Sequence, residues 1–254
     1  LGAVLLLLLI ARRHILRDWP ILCRHLPYLC LMGGCGFSAF NALFYVAGHH
    51  TTAVNIGVLQ GSIPIFVLLG NLMFLRQPIR PIQGVGVVLT LLGVVTVASH
   101  GDFAQLGELR INRGDGFVLI GCVFYAAYSV GLSRRPDVPA LSLFAVMATA
   151  AWLASLPLVT IETLQQGWTA PSATGWLLAV LVTLLPSFVA QIFFIQGVSL
   201  IGSGRAGVFV NLVPVFASIM AVLFLRERFE SYHATALLLV LGGSGLSEFG
   251  KSSA

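Results

Sequence analysis

The chain of 254 residues is 57% hydrophobic and only 9% charged, with a formal net charge of +5. A soluble domain carries about 25% charged residues, so water is excluded as the solvent of most of this chain. The positive balance does not mark a nucleic-acid partner, because the arginines stand singly or in pairs between apolar runs, with no basic stripe and no interleaved aromatics.

A helix needs about 20 apolar residues to cross a bilayer. In chain order the sequence predicts a partial helix at 1–11, then full helices at 27–48, 51–75, 81–99, 114–132, 140–161, 174–200, 203–225 and 231–249. The opening apolar run is followed by its charges instead of being preceded by them, which is wrong for a signal peptide. It reads as the end of a helix, with a charged loop at 12–26 behind it. Cys23, Cys30, Cys35 and Cys122 lie in or beside apolar segments without ligand spacing, and read as small apolar residues. His49-His50 and His100 leave different helix ends with no acid to complete a metal site, so no metal is expected. No glycine-rich phosphate loop follows a strand, and no cofactor is expected.

Residues 51–99 and 201–249 are one segment written twice, 150 positions apart. Pro64 matches Pro214, Phe66 matches Phe216, and Gly93 matches Gly243. Phe74-Leu75-Arg76 matches Phe224-Leu225-Arg226, and Gly57-Val58 matches Gly207-Val208. Shifting helix 140–161 back by the same offset makes residues 1–11 the end of its counterpart, while helix 114–132 has no counterpart in this chain. The expected architecture is therefore an all-α membrane protein of ten helices in the intact protein, with the first helix missing here. It divides into a first five-helix repeat at 1–113 and a second at 114–254.

Five helices per repeat is an odd number, so the second copy is expected upside down relative to the first. The positive-inside rule agrees. With loop 12–26 in the cytoplasm, alternation places ten of the 14 basic residues inside and leaves Arg110, Arg113, Arg226 and Arg228 outside. The C-terminus then lies in the cytoplasm, and a bacterial-type inner membrane is the expected location.

A Pro-centred helix, a short charged link and a Gly-rich helix appear as Pro64, Phe74-Leu75-Arg76-Gln77, Gly84-Val85-Gly86 and Gly93. They recur as Pro214, Leu225-Arg226-Glu227-Arg228 and Gly242-Gly243. This pattern resembles the drug/metabolite transporter superfamily, in particular its ten-helix EamA-type exporters, with aromatic amino acid exporters of the YddG type as a neighbour. The acid usual in that link stands only in the second copy, as Glu227; the first has Gln77. The resemblance implies an inverted five-helix repeat, a central cavity shared between halves, and export.

A charge at mid-bilayer costs about 2.5–3.5 kcal/mol on insertion scales and so marks function. The complete helices carry none near their centres. What remains at mid-depth is neutral and polar. Asn41 and Tyr45 are one turn apart, with Phe37 one turn the other way. Gln60 precedes Pro64 by four; Tyr125 and Tyr128 are three apart; Gln191 and Asn211 lie in the second copy. Buried amides and phenols need partners, so these side chains are expected to line a wet, uncharged substrate site. The competing reading is interhelical glue. Pro64, Pro186 and Pro214 are the candidate hinges, since each removes a backbone hydrogen bond and frees carbonyls. Gly84, Gly86 and Gly93, with Ala234, Ala236 and Gly243, supply small faces for helix contact within the chain, a dimer seam being the alternative.

The sequence thus points to a secondary transporter that exports small neutral or zwitterionic metabolites by alternating access, with amino acids, aromatic ones first, as substrates. It is read as no enzyme, a monomer with a dimer as the alternative, and its partners are the solute and the lipid bilayer. The alternatives are a proton-coupled drug or cation exporter and a membrane-embedded lipid-handling protein.

Overall fold

In a computed structural model of the chain, residues 2–76, 78–102, 112–167, 170–190, 193 and 212–249 are described. The described secondary structure is helical throughout. The α-helices are α1 (Gly2–Arg24), α2 (Leu26–Gly33), α3 (Phe40–Ala47), α4 (Ala53–Gln60), α5 (Ile63–Leu75), α6 (Pro81–Ala98), α7 (Arg113–Gly131), α8 (Ala140–Gln166), α9 (Ala173–Leu184), α10 (Val213–Leu225) and α11 (Ser231–Phe249). Five helical stretches are long and apolar enough to cross a membrane: Leu26–Ala47, Ala53–Leu75, Pro81–Ala98, Arg113–Arg134 and Ala140–Gln165. The expected helices at 174–200 and 203–225 run through residues outside the described set. This is an all-α, multi-pass membrane protein.

The N-terminal segment differs from expectation. The loop foreseen at 12–26 is instead a continuation of α1, which runs through Pro20 to Arg24. Arginine, leucine and isoleucine are adequate helix formers, and no glycine interrupts them. The arginines ride on the exposed sides of this helix while Asp18 turns inward and accepts a hydrogen bond from Ser142 Oγ at 2.9 Å, in the first turn of α8.

Contacts divide the described chain into two compact units, Leu1–Ser38 with Gly131–Ala206, and Ala39–Val130 with Gly207–Ala254. Each unit therefore takes segments from both sequence repeats. In the first, α1 and α2 pack on α8. Leu7, Ala11 and Ala145 form its buried centre, flanked by Leu141, Phe144 and Phe188. In the second, Val54, Val58, Leu59, Val97, Val118, Cys122 and Val240 form the core.

The two copies repeat the same local irregularities. Helix α5 begins after Ser62 (φ −79°, ψ −11°) and α10 after Leu212 (φ −79°, ψ −13°), each with its proline in the first turn, where a missing N–H costs nothing. Both end on an arginine in the left-handed region, Arg76 at φ 54° and Arg226 at φ 56°. A side chain there costs roughly 1–2 kcal/mol, so the shared choice marks a constraint on the link. A π-helical turn interrupts Gly34–Ala39 and another Leu185–Val189. Subtracting 150 from the second places it on 35–39.

The equivalent helices α6 and α11 pack against each other in the second unit, and glycine sets how closely. A Cβ on Gly86 would lie 2.5 Å from Gly243 O, and one on Gly93 would lie 2.9 Å from Ala236 O. In repeat terms Gly243 is the mate of Gly93, and Ala236 the mate of Gly86. Residue i meets the mate of j while j meets the mate of i, which is the contact pattern of a two-fold axis. Rising numbers on α6 meet falling numbers on α11, so these two equivalent helices run in opposite directions. The close-contact face foreseen for the glycines is within the chain, and Gly84, with nothing near its Cβ position, is outside it.

Lipid offers no hydrophobic drive between helices, so this fit carries the association. Gly86→Ala should lower stability by about 1–3 kcal/mol through overpacking, while Gly84→Ala should leave it unchanged. Thermal unfolding of both variants in detergent checks the contrast.

Candidate functional site

The helix break at Gly61–Ser62 sits at the crossing of α4 and α10 in the second unit. A Cβ on Gly61 would lie 3.1 Å from Pro214 Cγ, and one on Gly57 would lie 2.7 Å from Ala217 Cβ. Carbonyls at the break are occupied by protein donors. Ser62 Oγ (2.7 Å) and Cys122 Sγ (3.8 Å) both donate to Leu59 O, and Ser244 Oγ donates to Gly61 O at 2.8 Å. These two carbonyls are thus held by donors of the protein itself. Pro64 is half-buried and Pro214 buried at this crossing; Pro186 is exposed within its π turn, where Ser187 Oγ donates to Val182 O at 3.0 Å.

Among the foreseen site residues, Tyr125 and Tyr128 are brought together with ring centroids 5.6 Å apart. Phe40 continues the array at 5.0 Å from Tyr125, and Phe44 at 4.3 Å from Phe40. The rings form a wall along α3 and α7, spaced and tilted as aromatic pairs prefer. Phe44 lies over Gly121, where any Cβ would meet its ring at 2.9 Å. Tyr45 does not join this wall; it is 67% exposed, and Asn41 is exposed on the same helix. Phe37 belongs to the first unit and packs edge-on against Phe144 at 5.8 Å. Gln60 is half-buried at the end of α4. Gln191 and Asn211 lie outside the described residues.

One end of the second unit holds a polar cluster that hydropathy did not single out. Asn55, Asp115 and His233 are each only 2% exposed. The Glu230 N–H donates to His233 Nδ1 at 2.9 Å. That nitrogen being the acceptor, the ring proton sits on Nε2 and is donated to Asn55 Oδ1 at 3.1 Å. Asn55 Nδ2 donates to Thr51 Oγ1 at 3.2 Å, and the Thr51 hydroxyl donates to Asp115 Oδ1 at 2.6 Å. Beside this chain the Glu227 carboxylate accepts from the backbone N–H groups of Ala53 and Val54, at 2.8 and 2.9 Å. It caps the first turn of α4 together with Thr52, whose hydroxyl accepts from the Asn55 N–H at 3.2 Å. Among the described residues no group of three His, Cys, Asp or Glu is placed to hold a metal.

A family model described as the EamA-like transporter family matches residues 1–99 and 112–248. The chain belongs to the EamA-like transporter family. Among relatives of this EamA-like chain, the uncharacterized transporter YetK of Bacillus subtilis is 23% identical over 95% of this chain and 73% of its own length. The uncharacterized transporter YyaM of the same organism is 27% identical over 75% of this chain and 63% of its own. A probable terminal-alkyne amino-acid exporter of Streptantibioticus cattleyicolor is 23% identical over 80% and 67%. A solved crystal structure shares the fold at a TM-score of 0.56, with 19% identity, covering 90% of this chain and 77% of its own.

Phe40, Thr51, Asn55, Asp115 and His233 were not foreseen as site residues. Phe40 sits one position from Asn41 and is apolar, so a search for polar groups passes over it. The others lie in or just before the first turns of helices, where polar residues are ordinary. A usable signal for Glu227 was present in the link itself, as the acid that the first copy lacks. Glu227→Ala should cost about 0.5–2 kcal/mol of stability, the usual loss on removing a helix cap, and Glu227→Gln less, since it keeps one acceptor. Chemical denaturation of the two variants in detergent should rank wild type above Gln above Ala.

Proposed function

We propose that this EamA-like protein is a secondary carrier that exports small neutral or zwitterionic metabolites, with aromatic amino acids as first candidates, by alternating access across a bacterial-type inner membrane. The observation that carries this reading is the antiparallel pairing of the equivalent helices α6 and α11. Two oppositely oriented copies of one unit are what a carrier needs to present the same site to either side. The amino-acid choice draws on the exporter named among the relatives and on the ring wall of Phe40, Phe44, Tyr125 and Tyr128.

On this reading the solute's side chain lies against the Tyr125 and Tyr128 rings, and its ammonium and carboxylate groups meet neutral amides and phenols, Asn41, Tyr45, Gln60, Gln191 and Asn211 among them. Phe37 supplies a further ring, and Pro64, Pro186 and Pro214 mark where helices bend. The C-terminus faces the cytoplasm, so the link at 226–230 opens to the outside. The working form is a monomer.

The test is counterflow in proteoliposomes containing the full-length protein, preloaded with unlabelled phenylalanine. Preloading should accelerate uptake of labelled phenylalanine, and Tyr125→Ala should lower the rate about 2–10-fold, the worth of one aromatic contact. Tyr125→Phe should stay near wild type. Flux without saturation or trans-stimulation would make the protein a passive channel, and no counterflow with any amino acid would remove this substrate class.

A further inference from the structure

The four hydrogen bonds that begin at the Glu230 N–H all point the same way and end on Asp115 Oδ1. The other carboxyl oxygen, Asp115 Oδ2, is buried and makes no hydrogen bond to any described residue. Asp115 lies in the first turn of α7, behind Asn112, whose side chain accepts from the Gly114 N–H at 2.9 Å. An oxygen so placed has a lone pair turned into protein with no hydrogen bond completed to it, the nearby Asn55 amide being already spent on Thr51. A proton fills that position without breaking any bond already made. A metal cation does not, because it needs several oxygen ligands. Here the Thr51 hydroxyl turns its hydrogen toward the carboxylate, and Asn55 Oδ1 is already taken by His233.

An opening lies beside this cluster. An open depression of about 340 Å³ lies where α6 ends and α11 begins, lined by Thr96, His100, Asp102, Ser231, Tyr232 and Thr235. The His100 imidazole packs on the Tyr232 ring at 5.7 Å and acts electrostatically on both Asp115 and His233. Gly101, at φ 80°, leaves no room for a Cβ beside Tyr232, which holds this corner against α11. The other titratable groups that act on the cluster are Glu227 and Glu230 from the link and Tyr232 from α11.

We propose that Asp115 is a proton-binding site and that the chain of hydrogen bonds through Thr51, Asn55 and His233 passes its charge state to the 226–230 link. A hydronium ion gives its proton to Oδ2, forming an O–H bond there and leaving a water molecule. The neutral carboxyl then accepts from Thr51 more weakly than the carboxylate does, because the bond loses its charge assistance. Slack enters each successive bond as far as the Glu230 N–H, next to the strand of link whose Glu227 caps α4. Resting on the carrier reading above, this makes the proton a coupling ion, taken up at the face of the 226–230 link.

Full-length protein in lipid nanodiscs, titrated with acid and base under infrared spectroscopy, reads the site without any substrate. A protonated-carboxyl band should titrate, vanish in Asp115→Asn, and persist in Glu162→Gln, which alters an exposed carboxyl on α8. Thr51→Val should keep the band and move its midpoint; should Asp115→Asn fail to fold, that shift decides the question. No titrating band, or one unaltered in both Asp115→Asn and Thr51→Val, would overturn the proton site. In proteoliposomes, an imposed pH gradient should change phenylalanine uptake by wild type, and the ratio with and without gradient should fall to unity in Asp115→Asn. An equal response in both would refute coupling. Absence of counterflow with every amino acid would sink the proposed function alone, leaving the infrared titration to judge Asp115.

Discussion

Close approach of two backbones governs the second unit. Where α6 crosses α11, the carbonyls of Gly243 and Ala236 occupy the space that side chains on Gly86 and Gly93 would need. In hydrocarbon, where apolar helices gain nothing by leaving lipid for each other, such a fit is what distinguishes one partner from another. Its consequences spread outward. Val240 on α11 reaches the position above Gly61, and so fixes where the α4 break lies. Ser244, one turn on, donates to the carbonyl exposed by that break. The break in turn lets Pro214 of the other copy come within van der Waals reach. Remove the glycine contact and the crossing of the broken helices has nothing to register against.

The polar end of the unit follows a different rule. Helix N-termini present unpaired N–H groups and partial positive charge. Here α4 and α7 start close together, and each has an acid at its start, Glu227 on the first and Asp115 on the second. Glu227 is fully used by two backbone donors. Asp115 is used on one side only, by Thr51. The same physical need, charge compensation at a helix start, therefore gives a structural carboxylate in one case and a half-committed one in the other.

How much of this could be read from residues alone depends on range. Membrane helices and the pairing of the equivalent helices α6 and α11 were legible, because apolar length and a constant offset of 150 are local or arithmetic signals. The contact face on Gly86 and Gly93 was legible as small residues, although Gly84, equally small, turned out to stand in open space. The loop expected at 12–26 is helical because arginine signals topology without stopping a helix, and Pro20 alone does not end α1. The aromatic wall was half legible: Tyr125 and Tyr128 share a helix face, but Phe40 joins them only through packing between α3 and α7. The hydrogen-bond chain to Asp115 was not legible at all. It joins residues 51, 55, 115, 230 and 233, brought together by three separate elements and by the reach of one amide.

The π-helical turns at Gly34–Ala39 and Leu185–Val189 bear on the shape of both copies. Each holds one residue more than an α-helix of the same rise, and each lies at the same place in its copy. Their sequences, Gly-Cys-Gly-Phe-Ser-Ala and Leu-Pro-Ser-Phe-Val, no longer share the chemistry that would create such a turn independently. The extra residue is thus common to the two copies at one register, whatever side chains stand there. A widened turn shared at one register gives each copy a matching place where its helix ladder is loosened.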